Sequence, residues 1–330
     1  MMNQPEVLIT DCDHADVETE ARLFHEASVS YELKQCQTEE DLIEQGKGSR
    51  VFINQYAPIT EAVLSQLPDL SLVVRYGVGV NNVDLEAASR YNVQVCNVPD
   101  YGMNEVADHA LALLLNFTRK IELMNDKVRE GVWDYQESAP IYRHSDQTVG
   151  IIGLGRIGTS FANKVKALGC RVIGYDPKFS HEFSKESVDG VEMVSLQDLL
   201  IESDAVSIHC PLDKAHHLID EQELKMMKPS AYLLNVSRGG IINEIALDKA
   251  LQEKWIAGAG VDVASIEPLP ADHSLFKHRN FVCTPHMAWY SEQAALELKR
   301  KVAEEASRFL KGEQVHYPVN QIHIKEERVK

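Results

Sequence analysis

The chain has 330 residues, long for one domain and comfortable for two, and either could bury a core of its own. An apolar share of 44% beside a charged share of 25% is that of an ordinary water-soluble protein. Acidic residues outnumber basic ones by 50 to 33, a net charge of −17; such a surface repels nucleic acid and anionic membrane, and neither is expected as a partner.

The opening stretch "MMNQPEVLITDCD" lacks a basic region followed by a long apolar run, and no later stretch approaches the apolar length of a membrane span. The six cysteines (Cys12, Cys36, Cys96, Cys170, Cys210, Cys283) are scattered, with no CxxC pair and no metal-ligand spacing. A cytoplasmic, reducing compartment is expected, without disulfides or a metal site.

Short apolar runs rich in β-branched residues then alternate with amphipathic segments, the mark of parallel α/β architecture. Strands are predicted at "VLIT" (7–10), "VSYEL" (29–33), "VFINQ" (51–55), "LVVRYG" (72–77) and "VQVCNV" (93–98), with helices such as 16–27, 60–66 and 84–91 between them. A long amphipathic run follows from about Asn104 to Glu130, broken by "GVWDY". The pattern restarts with "TVGIIGLGRIG" (148–158), "CRVIGYDP" (170–177), "AVSIHCPL" (205–212), "AYLLNVSRGG" (231–240), "AGAGVDV" (257–263) and "FVCTPH" (281–286). A last helix, about 291–311, precedes a polar tail. Two α/β units of unequal size are expected to meet near residue 100.

Gly153-Leu154-Gly155-Arg156-Ile157-Gly158 fits G-x-G-x-x-G, a weak pattern alone. Here it closes the apolar strand "VGII" and opens a helical run, the context a dinucleotide site requires. Its glycines permit a tight turn, backbone approach to a pyrophosphate and close helix–strand packing. Asp176 ends the next strand about twenty residues on, where a carboxylate accepts from the adenosine ribose hydroxyls and repels the 2′-phosphate of NADP. NAD is therefore the expected cofactor, although Asp-Pro is also a common turn.

Three candidates for the chemistry stand at later strand ends. Arg238 in "NVSRGGIINE" carries a permanent charge in a planar fork that matches a carboxylate. Glu267 lies in "GVDVASIEPLP", and His286 ends "FVCTPH". Separately these are a salt bridge, a solvated carboxylate and a capping histidine. Their joint placement along one nucleotide-binding sheet argues for a site.

Those segments, with "RYGVGVNNVDLEAASRYNVQVCNVP", "HCPL" and "TPHMAWYSEQA", resemble the D-isomer-specific 2-hydroxyacid dehydrogenases over nearly the whole chain. "YAPIT", "VPDYGMNEVADHAL" and "PHMAWYSEQA" look most like the C-terminal-binding-protein branch; more distant members carry Gly-Gly or Gly-Ala after the histidine. The resemblance implies His286 as acid/base, Glu267 as the carboxylate that favours its protonated form, and Arg238 on the substrate's carboxylate and carbonyl oxygen. It also implies that the Tyr76-Gly77-Val78-Gly79 turn offers N–H groups to the substrate and that Trp289 walls the pocket. Asp262 would reach the nicotinamide carboxamide, His209-Cys210-Pro211 would line the adenosine side, and Val236 and Ser237 would touch the cofactor beside Arg238.

The implied fold is two parallel-sheet domains with a cleft between them. A discontinuous flavodoxin-like substrate domain (1–101 and 291–330) would accept a Rossmann domain (102–290) as an insertion, and the helix after residue 103 would help build a homodimer. The implied reaction is NAD-dependent interconversion of small 2-keto and 2-hydroxy acids. Two other readings stay open: an NAD(H)-sensing corepressor-like binding protein, and a phosphoglycerate- or hydroxypyruvate-type dehydrogenase.

Overall fold

β-Branched clusters become strands and the amphipathic runs between them become helices, so the chain builds parallel sheets one βα step at a time. The computed structural model describes residues 5–180, 187–213 and 215–322. The chain divides into two units, Met1–Gly102 with Ser291–Lys330, and Met103–Tyr290.

The first unit carries β1 (Val7–Ile9), β2 (Tyr31–Leu33), β3 (Val51–Asn54), β4 (Leu72–Arg75) and β5 (Gln94–Cys96), all parallel in the order β2-β1-β3-β4-β5. Its connecting helices are α1 (Glu18–Ala27), α2 (Glu39–Gln45), α3 (Glu61–Gln66) and α4 (Leu85–Arg90). Phe52, Val73 and Val95 pack beneath Leu42, Val63, Leu64 and Ala87. The β2 residues Tyr31, Glu32 and Leu33 are exposed, as suits an edge strand. The C-terminal helix returns to this unit, covering Ala294, Leu298, Val302 and Ala306 at helical spacing and packing on α1 and β4. Ion pairs Lys299–Asp16 at 2.8 Å and Lys301–Asp100 at 2.6 Å tie it down.

The second unit opens with α5 (Met103–Arg119) and α6 (Ile121–Arg129). The amphipathic run read as one stretch is thus two helices. Lys120 between them is left-handed (φ 54°), and the Asn116 side chain accepts the Glu122 N–H at 3.0 Å, turning the chain at that point. Then follow β6 (Thr148–Ile152), α7 (Arg156–Ala167), β7 (Arg171–Tyr175), α8 (Pro177–Ser180), β8 (Ser187–Val188), β9 (Val191–Met193), α9 (Leu196–Glu202) and β10 (Ala205–Ile208). The remaining elements are α10 (Glu221–Met226), β11 (Tyr232–Asn235), α11 (Glu244–Gln252), β12 (Gly258–Val261) and β13 (Phe281–Cys283), before α12 (Glu292–Leu310) of the first unit. The sheet order is β13-β12-β11-β10-β6-β7-β9-β8, parallel except for the terminal β8–β9 pair. That short pair was not expected from sequence.

Both faces of this sheet are covered. Leu233 joins a core with Ile208, Leu247 and Ala250, while its neighbour Leu234 joins Leu113, Phe117 and Phe161 on the opposite face. The architecture is α/β, with two doubly wound parallel sheets. Among the described residues, no helix is long and apolar enough to cross a membrane. The end of the polar tail lies outside the described residues.

Candidate active site

In the second sheet the chain runs outward from β6 in both directions, to β7 on one side and β10 on the other. A crevice at the carboxyl ends of the strands opens at such a switch point. The glycine turn lies there. Gly153 is at φ 93°, and a Cβ on it would stand 2.8 Å from the Cys210 nitrogen and the His209 carbonyl. A Cβ on Gly158 would run into the Gly153 carbonyl. Gly155 differs: a Cβ there would meet nothing within 4 Å. It begins α7 with no side chain capping the helix, and it and Arg156 are exposed, with Ile157 half-buried. Two glycines are demanded by packing, and the third leaves open space beside the uncapped start of α7, whose first N–H groups have no partner within the helix, as a pyrophosphate needs.

Asp176 joins this turn to the end of β7. Its carboxylate accepts the Leu154 N–H at 3.0 Å and the Lys178 N–H at 2.9 Å, leaving acceptor capacity for hydroxyl groups. His209 lies behind the turn, its ring 5.1 Å from Phe161 and its Nε2 2.8 Å from the Ser207 hydroxyl. Burial pushes its pKa down to about 3, so the ring is neutral. Its Nδ1 is buried without a protein partner among the described residues. Cys210 is likewise uncharged, its thiol pushed up to about 11 by burial. Pro211 is exposed; Val236 is buried, and the Ser237 hydroxyl donates to the Ile208 carbonyl at 2.8 Å. An uncapped helix start, a carboxylate at the end of the adjoining strand and a buried imidazole nitrogen without a protein partner among the described residues fit a dinucleotide.

The chemistry-bearing groups hang from the neighbouring strand ends. Asn235 braces the Arg238 turn, donating to the Arg238 carbonyl at 2.9 Å and accepting the Ser237 N–H at 3.0 Å. The Arg238 guanidinium donates to the Ser237 carbonyl at 2.6 Å. His286 holds a left-handed backbone (φ 51°), fixed by its N–H donating to the Asp262 carbonyl at 2.9 Å. Its Nδ1 donates to Glu267 Oε2 at 2.7 Å, and the side chain is 43% exposed. With Nδ1 committed, Nε2 is the nitrogen available to a substrate. Glu267 Oε1 accepts the Ala264 N–H at 2.9 Å. Burial alone would raise the Glu267 carboxyl, but the His286 and Ala264 hydrogen bonds and the charges of His286 and Arg238 outweigh it and hold it below the usual carboxylate range.

Asp262 is 1% exposed and accepts three protein donors: the Thr284 hydroxyl at 2.6 Å, the Met287 N–H at 3.0 Å and the Ala288 N–H at 2.9 Å. His109 Nε2 meets Thr284 at 2.9 Å. These bonds shape the loop that carries His286, and sequence reasoning passed over Thr284 and His109 entirely. Trp289 is half-buried, its ring edge-on to Tyr290 with centroids 5.5 Å apart.

The Tyr76–Gly79 turn belongs to the first unit, at the carboxyl end of β4. Tyr76 is buried, its hydroxyl donating to Glu20 at 2.7 Å and its N–H to the Asn54 carbonyl at 2.8 Å. The Gly77 N–H donates to the Arg75 carbonyl at 2.9 Å, and Gly77 is at φ 133°. Val78 is exposed and Gly79 half-buried. Any donors this turn offers a ligand are therefore those of Val78 and Gly79.

A glycine turn at the switch point of a doubly wound sheet, with a carboxylate on the adjoining strand, defines a dinucleotide-binding α/β protein. Comparison with known proteins refines that class. Residues 111–288 match the family model described as D-isomer specific 2-hydroxyacid dehydrogenase, NAD binding domain. A glyoxylate reductase of Korarchaeum cryptofilum is 40% identical over 272 residues, 81% of each chain. One from Thermococcus litoralis is 39% identical over 262 residues, 77% of this chain and 78% of its own. A solved structure of a Thermus thermophilus protein superposes with a TM-score of 0.84 at 29% identity, covering 95% of this chain and 99% of that one. The chain belongs to the D-isomer specific 2-hydroxyacid dehydrogenase family. It is an NAD-dependent oxidoreductase acting on the CH–OH group of its donors.

Proposed function

We propose that this enzyme interconverts small 2-keto acids and D-2-hydroxy acids with His286 as acid/base, Glu267 as its partner and Arg238 as the substrate clamp. The observation that carries the reading is the His286–Glu267 hydrogen bond of 2.7 Å, with Arg238 near enough to lower the same carboxylate. Bound NAD(H) supplies or takes up the hydride. In reduction His286 Nε2 gives its proton to the carbonyl oxygen, and in oxidation it takes the hydroxyl proton. Glu267 fixes the ring through Nδ1. Arg238 turns from the Ser237 carbonyl to the substrate's carboxylate and carbonyl oxygen. The N–H groups of Val78 and Gly79 serve the substrate carboxylate.

Asp176 is proposed as the ribose acceptor, with His209, Cys210 and Pro211 on the adenosine side and Val236 and Ser237 beside the cofactor. Asp262 is proposed to hydrogen-bond the nicotinamide carboxamide, besides holding the loop that carries His286. The glyoxylate reductases among the relatives support glyoxylate as one substrate, the smallest of the series. Ala288-Trp289-Tyr290 after the histidine supports a place near the C-terminal-binding-protein branch.

A homodimer is supported by large apolar side chains left exposed on the second unit between residues 121 and 142: Ile121, Val128, Trp133, Tyr135 and Tyr142. Six unpaired cysteines support a cytoplasmic setting. The test is NADH oxidation across 2-keto acids graded in size and charge, from glyoxylate upward and including phosphorylated ones, with sedimentation alongside. Turnover of none of the series ends the substrate reading, and a monomer at micromolar concentration ends the dimer.

A further inference from the structure

Glu267 reaches His286 from an irregular segment, residues 263–268, where no strand ladder or helix sets the backbone. Two contacts fix that segment from the side of β11 and α11. Gly239 lies flush against it, so that any Cβ there would collide with the Ala264 carbonyl. Beyond it, Glu244 Oε1 accepts the Ser265 N–H at 2.6 Å, a short charge-assisted bond.

Glu244 is the first residue of α11, where a carboxylate is ordinarily explained by the helix dipole. That helix start is already capped by Asn243, whose side chain accepts the Ile245 N–H at 3.1 Å and the Ala246 N–H at 3.4 Å. The Glu244 side chain instead crosses to the loop. It is 20% exposed, and its other oxygen lies 4.0 Å from His273 Nε2. Ser265 sits between Ala264, whose N–H binds one oxygen of Glu267, and Glu267 itself, whose other oxygen binds His286.

We propose that Glu244 is a positioning residue for the catalytic pair: by holding the Ser265 N–H it sets the loop from which Glu267 orients His286. The proposal rests on reading His286 and Glu267 as the acid–base pair. Misplacement of reacting groups by about 1 Å can cost on the order of 10²-fold. Glu244→Ala is therefore expected to lower kcat roughly ten- to a hundredfold, leave NADH affinity unchanged and alter the pH profile of kcat/KM as Glu267→Ala does. Glu244→Gln keeps an acceptor oxygen and removes the charge, so its recovery of activity separates position from electrostatics. Glu244→Asp keeps the charge but draws the acceptor back by a methylene, and it should lose activity while unfolding at the wild-type temperature.

The decisive measurement is a double-mutant cycle with Glu267→Ala. If Glu244 acts through Glu267, Glu244→Ala adds nothing in that background. Losses that multiply, or a silent Glu244→Ala beside an impaired Glu267→Ala, overturn the positioning role alone. A silent Glu267→Ala overturns the acid–base reading and this proposal together.

Discussion

The two sheets are built alike, yet their loops treat backbone donors in opposite ways. After β1 comes an acidic connection, and Asp11 is 6% exposed with its carboxylate on the turn that follows β3. It accepts the N–H groups of Gln55 and Ala57, each at 3.2 Å, and that of Tyr56, besides the Thr10 hydroxyl at 2.7 Å and the Asn54 amide at 3.1 Å. An anion of the protein's own thus fills a donor cluster in the first unit. After β6 the protein's own carboxylate reaches the glycine turn only at Leu154, whose N–H donates to Asp176, and the N-terminus of α7 begins at an exposed glycine with no side-chain cap. Similar parallel topology therefore does not choose the ligand. What decides is whether the backbone donors are filled from within or left for a bound anion.

The sharpest break of the comparison lies in the chemistry rather than in the turns. His286→Ala and Arg238→Ala should each cost about 10²–10⁴-fold in kcat. NADH affinity and thermal unfolding should stay near wild type, because neither side chain supports the glycine turn. Near wild-type turnover by His286→Ala would sink the mechanism. The Glu267 carboxyl, held below its ordinary range, gives a pH signature of its own. A depressed folded-state pKa contributes stability above the unfolded value of roughly 4.3, and that contribution is lost as pH falls through the folded value. Glu267→Gln should flatten the acid side of the stability profile, modestly, since the side chain is 39% exposed.

A matched pair of substitutions tests the turns themselves. Gly158→Ala forces a methyl into the Gly153 carbonyl, an overpacking cost of about 1–3 kcal/mol. Asp11→Asn turns an amide donor toward backbone donors, with a loss of similar size, about 1–3 kcal/mol. Only the first should weaken NADH binding. Gly155→Ala, placed in open space, should leave the melting temperature alone while impairing NADH affinity. Equal NADH affinity for Gly155→Ala and wild type would mean that the cofactor's phosphates lie elsewhere.

Asp176→Ala should weaken NADH by about ten- to a hundredfold, the order of one hydrogen bond to a charged group. It should also narrow the preference over NADPH. A wild-type preference for NADPH would show that the Leu154 and Lys178 N–H bonds are all that Asp176 provides.

Much of this was legible in the sequence because it is local. β-Branched runs marked the principal strands, and three glycines between an apolar strand and a helix described the turn before any coordinates. The break at Lys120 was not legible, since a lysine is an ordinary helix residue and only the Asn116 bond to Glu122 reveals the left-handed turn. Nor were the partners of Asp262, the Glu244 bond to Ser265 or the Tyr76 bond to Glu20. Each joins residues twenty or more apart, where periodicity carries no signal. Asp262 illustrates the limit: the family resemblance implies a contact with the cofactor, but only the structure shows its three protein donors and the loop they hold.

The smallest expected effect belongs to Trp289, three residues beyond His286. Its indole is half-buried against Tyr290, and the loop before it is held by Asp262, so the ring has a fixed place from which to present an apolar face. Aromatic walls select by contact area, and one methylene in an apolar pocket amounts to only about 1–3 kcal/mol. Trp289→Ala should therefore reorder 2-keto acids by side-chain length, with the larger ones gaining on glyoxylate, while the pH profile set by His286 and Glu267 stays in place. Uncharged substrates should still outperform phosphorylated ones in both proteins. The competing role is packing within the fold or a dimer, which would lower the melting temperature or the sedimentation coefficient and leave the order of substrates unchanged. Measuring kcat/KM over a graded series in wild type and variant, with sedimentation as control, separates the two: an unaltered ranking removes Trp289 from the substrate pocket.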